Sequence, residues 1–491
     1  MKKILIIPGN FFVSRNYFSS PLIEKLYQMS TNEKLVIYVA GLESNPISEE
    51  NFKYLKSYFQ DNYNIILLPL MDKLENPIYK FIWFMKNNFL QKSATYRFNE
   101  INKFVTHKRF KKITNFYRNT TKDEYLWKTD IWPKYLGFPF PKSRIILNLI
   151  LKFLSSKIFF NNPSITKNLK DISPNLIILG DIQSPISFEY SNASRKLKIK
   201  IVGNVRTWDH LTKNGPVVPD LDEYWVWNNI MRDELNKFHK IRQEKIYEVG
   251  SPQFDYYSFK KQIEIDDLTE YYKLNSPLTK FKISPDSVLI FFATNRPHRG
   301  IGEESIVEYI CEKIALGNYS KKSVNIILRS HPYDETFNNR FNKFKNYPFV
   351  KLMESPKLSR YSPEEFREDM VNVSILLQRS SLVLCGQSTF AIDASCTDTP
   401  IVNIAFEGKL SIEKNISVNN RYNVDHYQKL LSMDGTILVK DFDSLDKSIE
   451  KYLTNPSFKA VGRKNIKINF AGIKDKSSSD LISERISSLL Y

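Results

Sequence analysis

The chain is poor in the residues that support sulfur or metal chemistry. Its 491 residues include three cysteines, Cys311, Cys385 and Cys396. An odd count argues against a disulfide framework, and their spacing matches no metal site. No HExxH or CxxC element occurs. Neither does a GxGxxG fingerprint, a GxxxxGK[ST] phosphate loop or a GxSxG nucleophile elbow. Two DxD triplets are present, Asp220–Asp222 and Asp441–Asp443. The first precedes a strand and the second precedes a helix, where aspartates cap, so no catalytic metal is expected. No apolar run approaches the roughly 18 residues of a membrane span. The opening MKKILIIPGN has only Ile4 to Ile7 before Pro8 and Gly9. It reads as a first strand and its turn, not a secretory leader. These features lead to the expectation of a reducing, cytoplasmic compartment.

What the chain does have is positive charge, +18 in all. From Tyr79 to Lys122, eleven Lys or Arg face one acid, Glu100. The same window carries eleven aromatics, from Tyr79 to Tyr117. Such a segment suits anionic headgroups or an anionic acceptor, or it forms solvated helices, or it binds nucleic acid. No nucleic-acid module accompanies it, so a nucleic-acid partner is not expected. Nearby, Ser143–Phe160 (SRIILNLILKFLSSKIFF) is apolar with interspersed cations. It reads as an interfacial helix or as one packed on its domain.

The length predicts more than one core. Strand patterns at Lys3–Pro8, Lys34–Val39, Asn64–Pro69, Asn175–Gly180, Ile199–Gly203, Tyr224–Trp227 and Lys245–Gly250 alternate with helical ones such as Pro21–Met29. This βα rhythm predicts an α/β parallel sheet over residues 1–255, interrupted by a helical insertion at 72–170. A linker is expected at 256–286. A second rhythm fills 287–475, with strands at Ser287–Ala293, Val324–Leu328, Val350–Met353, Leu382–Cys385 and Ile401–Ile404. An amphipathic helix is expected within 476–491. The expected architecture is two βα domains of similar topology without a shared core.

In open parallel sheets, ligands sit beyond the carboxyl ends of the strands. Several strand ends here carry dense polar chemistry. Thr294–Gly300 (TNRPHRG) supplies Thr294, Asn295, Arg296, His298 and Arg299, a set suited to a diphosphate. Arg329–Tyr333 (RSHPY) supplies Arg329 and His331, the latter a donor to a phosphate or a sugar hydroxyl. Gly386 admits close approach, and Ser388 or Thr389 caps the helix that follows, whose free N–H groups form an anion site. Glu407 is a candidate acceptor from ribose hydroxyls. In the first half, Asp181 follows a strand, and Asn204–Gly215 (NVRTWDHLTKNG) packs Arg206, Trp208, Asp209, His210 and Lys213 together. Asp209 or His210 could take a proton from an attacking hydroxyl.

These paired βα halves, the His-Pro at a strand end and "STFAIDASCTDTPIVNI" resemble the GT-B glycosyltransferases of bacterial surface polysaccharide synthesis. CDP-glycerol glycerophosphotransferases, Kdo transferases, sialyltransferases and UDP-N-acetylglucosamine 2-epimerases use similar elements. "TWDHLTKNGPVVPDLDEYWVWNNIMRDEL" followed by "KIYEVGSPQFD", and "HYQKLL" at His426–Leu431, are similar to the domain-junction pattern of such enzymes. The resemblance spans roughly Asn175 to Leu453 and leaves 72–170 unmatched.

It implies two Rossmann-like domains facing a central cleft. A nucleotide-activated sugar of the UDP, CMP or CDP type would lie on the second, against Thr294, Asn295, Arg296, Ser388 and Thr389. His331 would meet the donor phosphate or sugar. A glycan or lipid-linked acceptor would lie near Asp209 and His210, with no metal required. Retaining relatives carry two glutamates eight positions apart, but here Asn415 stands eight residues after Glu407, which favours inversion. The enzyme would work in the cytoplasm, peripherally at the inner face of the membrane. A CDP-polyol phosphotransferase, a sugar-nucleotide epimerase and a non-catalytic basic membrane-binding protein are the alternatives.

Overall fold

The computed structural model describes residues 1–9, 11–32, 35–42, 65–71, 163–213, 217, 220–261, 276–356, 363–412, 417–473 and 475–491. The basic window, the Ser143–Phe160 stretch and most of the expected insertion and linker lie outside these residues.

Two parallel sheets form the frame. The first comprises β1 (Lys2–Ile7), β2 (Leu35–Leu42), β3 (Ile65–Met71), β4 (Leu176–Leu179), β5 (Lys200–Asn204), β6 (Glu223–Val226) and β7 (Ile246–Glu248). It has seven strands in the order β3-β2-β1-β4-β5-β6-β7. The second comprises β8 (Val288–Ala293), β9 (Val324–Arg329), β10 (Val350–Met353), β11 (Leu382–Cys385), β12 (Ile401–Ile404) and β13 (Ile437–Val439). Its six strands run β10-β9-β8-β11-β12-β13. Apart from the extra β7, both orders are the doubly wound 3-2-1-4-5-6 pattern, which opens a crevice where the order reverses. The reversal lies between β1 and β4 in one sheet and between β8 and β11 in the other.

The strands are short continuous apolar runs because helices cover both faces. β4 is Leu-Ile-Ile-Leu and wholly buried. Local sequence sets the helix ends. Ser184 accepts from the Ser187 N–H ahead of Pro185, and Lys198 closes that helix in the left-handed region at φ 56°. Asp441 and Ser444 form a reciprocal capping box on Phe442–Thr454, so the second DxD triplet is a helix cap. In the first triplet, Asp222 accepts from the Ile201 N–H and Asp220 pairs with Arg195 and Lys245.

The expected C-terminal helix is Ser478–Leu490, and it packs against the first sheet's unit. Ile482, Ile486 and Leu490 bury with Ile4, Leu22 and Leu26, each contributing about 2 kcal/mol. Asp255 anchors its start, accepting from the N–H groups of Ser478 and Ser479.

The expectation of two separate cores does not hold. One buried cluster runs from Leu179, Trp208 and Trp227 of the first unit to Ile327, Tyr427 and Phe470 beyond it. The reason is aromatic: Trp208 packs edge-to-face on His426 and Phe470, with ring centroids 4.9 and 5.5 Å apart. Among the described residues, no helix is long and apolar enough to cross a membrane.

Candidate functional site

The loop after β8 is pinned at both ends and presents its middle. The Asn295 N–H and Nδ2 donate to the buried Glu303 carboxylate. Arg340 donates from Nη1 to the Asn295 carbonyl (3.2 Å) and from Nη2 to the Gly300 carbonyl (3.1 Å). Thr294 Oγ1 donates to the Arg329 carbonyl at 3.0 Å. The side chains of Thr294 and Asn295, expected on a phosphate, instead bond the end of β9 and the helix Glu303–Ala315. Arg296, His298 and Arg299 remain as its half-buried cations and ring. Arg421, from the short helix Val418–Arg421, joins them by donating to the His298 carbonyl at 2.7 Å.

Arg329 is a second correction. It is the last residue of β9, so its side chain stands against the sheet face and not beyond the strand end. Both terminal nitrogens meet Asp369, at 2.7 and 2.6 Å, in a buried bidentate pair. Its guanidinium is not available to a phosphate. His331, two residues on, reaches the cleft. Its Nδ1 accepts from the Tyr333 N–H at 3.1 Å. Burial, reinforced by Arg296 and Arg299, holds its pKa well below the usual value. The ring is thus neutral, with its proton on Nε2 as a donor.

After β11, Gly386 is required by a neighbour. A Cβ there would lie 2.3 Å from Asn295 Nδ2, so the glycine admits that amide between β8 and β11. Ser388 Oγ accepts from the Phe390 N–H at 3.2 Å and is the working cap. The N–H groups of residues 391–393 bond back to the carbonyls of Ser388 and Thr389. The N–H groups of residues 390–393 are thereby taken from the expected anion nest, and the seven-residue helix Phe390–Cys396 adds little dipole. Thr389 Oγ1 accepts from the Trp208 indole at 3.0 Å. Glu407 is also drawn into structure, since one of its oxygens caps the Val418 N–H.

From the first unit, Arg206 pairs with the buried Asp181 at 3.0 Å and donates to His210 Nε2 at 2.9 Å. An arginine only donates, so that imidazole nitrogen is already an acceptor. His210 is 6% exposed, whereas Asp209 is half-buried, with Oδ1 accepting from Thr207. Of the two base candidates, Asp209 is the more accessible.

Tyr333 marks where the two units meet. The Arg296 guanidinium lies 3.8 Å over its ring, and the Phe12 ring of the first unit is 5.8 Å away. Burial raises its pKa, and Arg296, Arg206 and Arg15 oppose that rise. The predicted second-unit residues Arg296 and His331 are thus brought together, with first-unit residues opposite. Residues not anticipated are Phe12, Arg15, Arg340 and Arg421. The turn after β1 at the sheet reversal was a signal for the first two; nothing local marked the others.

The second unit's loops gather cations that act on one another. Burial and then Arg299 push Arg296 down to about 10. Burial and then Arg299 do the same to Arg421. Burial and the same arginines push His298 down to about 3. Cations that depress one another in a cleft are the mark of an anion site. Among the described residues, no cluster of three or more His, Cys, Asp or Glu could hold a metal ion.

No protein-family model matches the chain, and no curated protein sequence does either. Solved structures do. UDP-GlcNAc 2-epimerase from Neisseria meningitidis, bound to UDP-GlcNAc, has a TM-score of 0.55 at 13% identity, covering 99% of this chain and 100% of that one. The S. aureus MnaA–UDP co-structure has a TM-score of 0.53 at 12% identity, covering 100% and 97%. UDP-GlcNAc 2-epimerase from Methanocaldococcus jannaschii has a TM-score of 0.51 at 14% identity, covering 99% and 100%. At such identities the likeness establishes the fold. The chain has the GT-B fold, with two Rossmann-like units whose sheets reverse strand order at matching positions.

Proposed function

We propose that this protein is a nucleotide-sugar-dependent enzyme, and specifically a metal-independent, inverting glycosyltransferase. The supporting observation is hydrogen-bond polarity. Ser388 and Thr389 each already accept a bond, so their O–H groups are left to donate. His331 offers Nε2–H, and Arg296 and Arg299 only donate. A site that presents donors under positive potential fits the diphosphate of a UDP- or CDP-sugar, or the phosphate of a CMP-sugar. The same groups would offset charge on the departing nucleotide, which is why no metal enters this reading. Asp209 is the base proposed to deprotonate a glycan or lipid-linked acceptor. Work at the inner membrane face, in the cytoplasm, belongs to the same proposal.

A second reading, sugar-nucleotide epimerisation, shares the donor site and needs no acceptor. It is favoured by the fold likeness to UDP-GlcNAc 2-epimerases. Thermal shift against UDP, CMP, CDP, GDP and ADP, with and without EDTA, tests both. A ligand at 100 times its dissociation constant adds about 2.7 kcal/mol. One nucleotide that stabilises regardless of EDTA, and fails with His331→Ala, supports the site. Turnover of the matching sugar nucleotide without acceptor selects epimerisation. No shift with any nucleotide refutes both.

A further inference from the structure

The loop that carries Asp209 belongs to the first unit, yet its middle residue is embedded beyond it. Trp208 is 5% exposed. Its indole lies 4.9 Å from the His426 ring, 5.9 Å from Tyr427 and 5.5 Å from Phe470. Two supports flank it. Thr207 Oγ1 donates to Asp209 Oδ1, and Thr212 Oγ1 lies 3.3 Å from His426 Nδ1. Its one polar atom, Nε1, donates to Thr389 Oγ1 at 3.0 Å.

A hydroxyl has one hydrogen and two acceptor positions. With the indole on one acceptor position, the Thr389 O–H is turned away from Trp208. A ligand that accepts that hydrogen fixes the rotor and strengthens the chain from ligand to hydroxyl to indole. Asp209 is the next residue after Trp208, so holding the indole in place restrains the backbone that carries the carboxylate. We infer that Trp208 is a positioning residue that makes the order of the Arg206–His210 loop depend on an anion at Thr389. Occupancy of the second unit would thereby assemble the acceptor side of the first. This rests on the nucleotide reading above and adds a direction of control to it.

Hydrogen exchange of the peptide spanning 204–213 tests it in the full chain. UDP is the first probe, and inorganic pyrophosphate at millimolar concentration is a second that does not depend on the base. In the native protein, saturating probe slows exchange there by up to about twofold, the scale of a cooperative strengthening of one existing hydrogen bond. Trp208→Phe keeps the ring packing and removes the donor. Thr389→Val keeps the shape and removes the acceptor. In each, the probe at saturation still binds but the loop protection disappears, and Thr389→Ser restores it. A purely structural role would raise exchange equally with and without probe. If Trp208→Phe fails to fold, Thr389→Val decides. Binding with undiminished loop protection in Thr389→Val overturns the inference and leaves the nucleotide reading intact. Failure of both probes to bind the native protein overturns the inference together with a diphosphate donor.

Discussion

Arg340 bears on stability and ligand binding together. Its guanidinium is 7% exposed and contacts three carboxylates, Glu304 at 2.5 Å, Asp334 at 3.0 Å and Glu303 at 3.4 Å. It also holds the Asn295 and Gly300 carbonyls that frame the β8 loop. Arg340→Met keeps the stem and leaves Glu303 and Asp334 buried without their cation. Removing one partner of a buried pair costs about 3–5 kcal/mol. For a unit of this size that is roughly 6–20 °C in melting temperature. The loss depends on pH in a definite sense. Burial pushes Glu303 up to about 7, while Arg340 and Asn295 pull it down. A carboxyl that binds its proton more tightly when folded contributes less stability as pH rises from its ordinary value through 7. Without Arg340 the folded value climbs further. The variant should therefore lose more stability at pH 7.5 than at pH 5.5. Scanning calorimetry at the two pH values measures this, and titration with the stabilising nucleotide should show at least about tenfold weaker binding. A melting temperature close to native at pH 7.5, or an equal loss at both pH values, would refute the reasoning.

Two further outcomes separate ligand contacts from scaffold. His331→Phe removes the Nε2–H and should weaken nucleotide binding by about 10- to 100-fold, the range for a bond to a charged acceptor. Because His331 stays neutral, the ratio of native to variant affinity should be flat between pH 5.5 and 8 in titration calorimetry. A ratio that grows as pH falls through 6.5 would show that the imidazolium binds instead. Arg329→Met strands the buried Asp369 and should lower the melting temperature, yet change nucleotide affinity by less than about twofold, because both guanidinium ends are held by Asp369. Lost affinity at a native melting temperature would return Arg329 to the site.

The strands were legible because a sheet covered on both faces demands short continuous apolar runs. The pattern Ser287–Ala293 differs from β8, Val288–Ala293, by one residue. β13, Ile437–Val439, escaped because three residues carry no period. Site chemistry was legible to the level of the loop and no finer. A strand end rich in Arg, His and Ser announces a crevice, but each polar residue there has two possible employers, the ligand and the scaffold. Which one wins depends on partners remote in sequence. Asn295 goes to Glu303 and Gly386 makes room for it; Arg329 goes to Asp369, forty residues on. Arg296 and His331 stay with the cleft because none of these carboxylates reaches them in that way, and their neighbours are one another. The surplus of positive charge left once the scaffold has taken its share is therefore the sharper signature of the site, and only the folded chain reveals it.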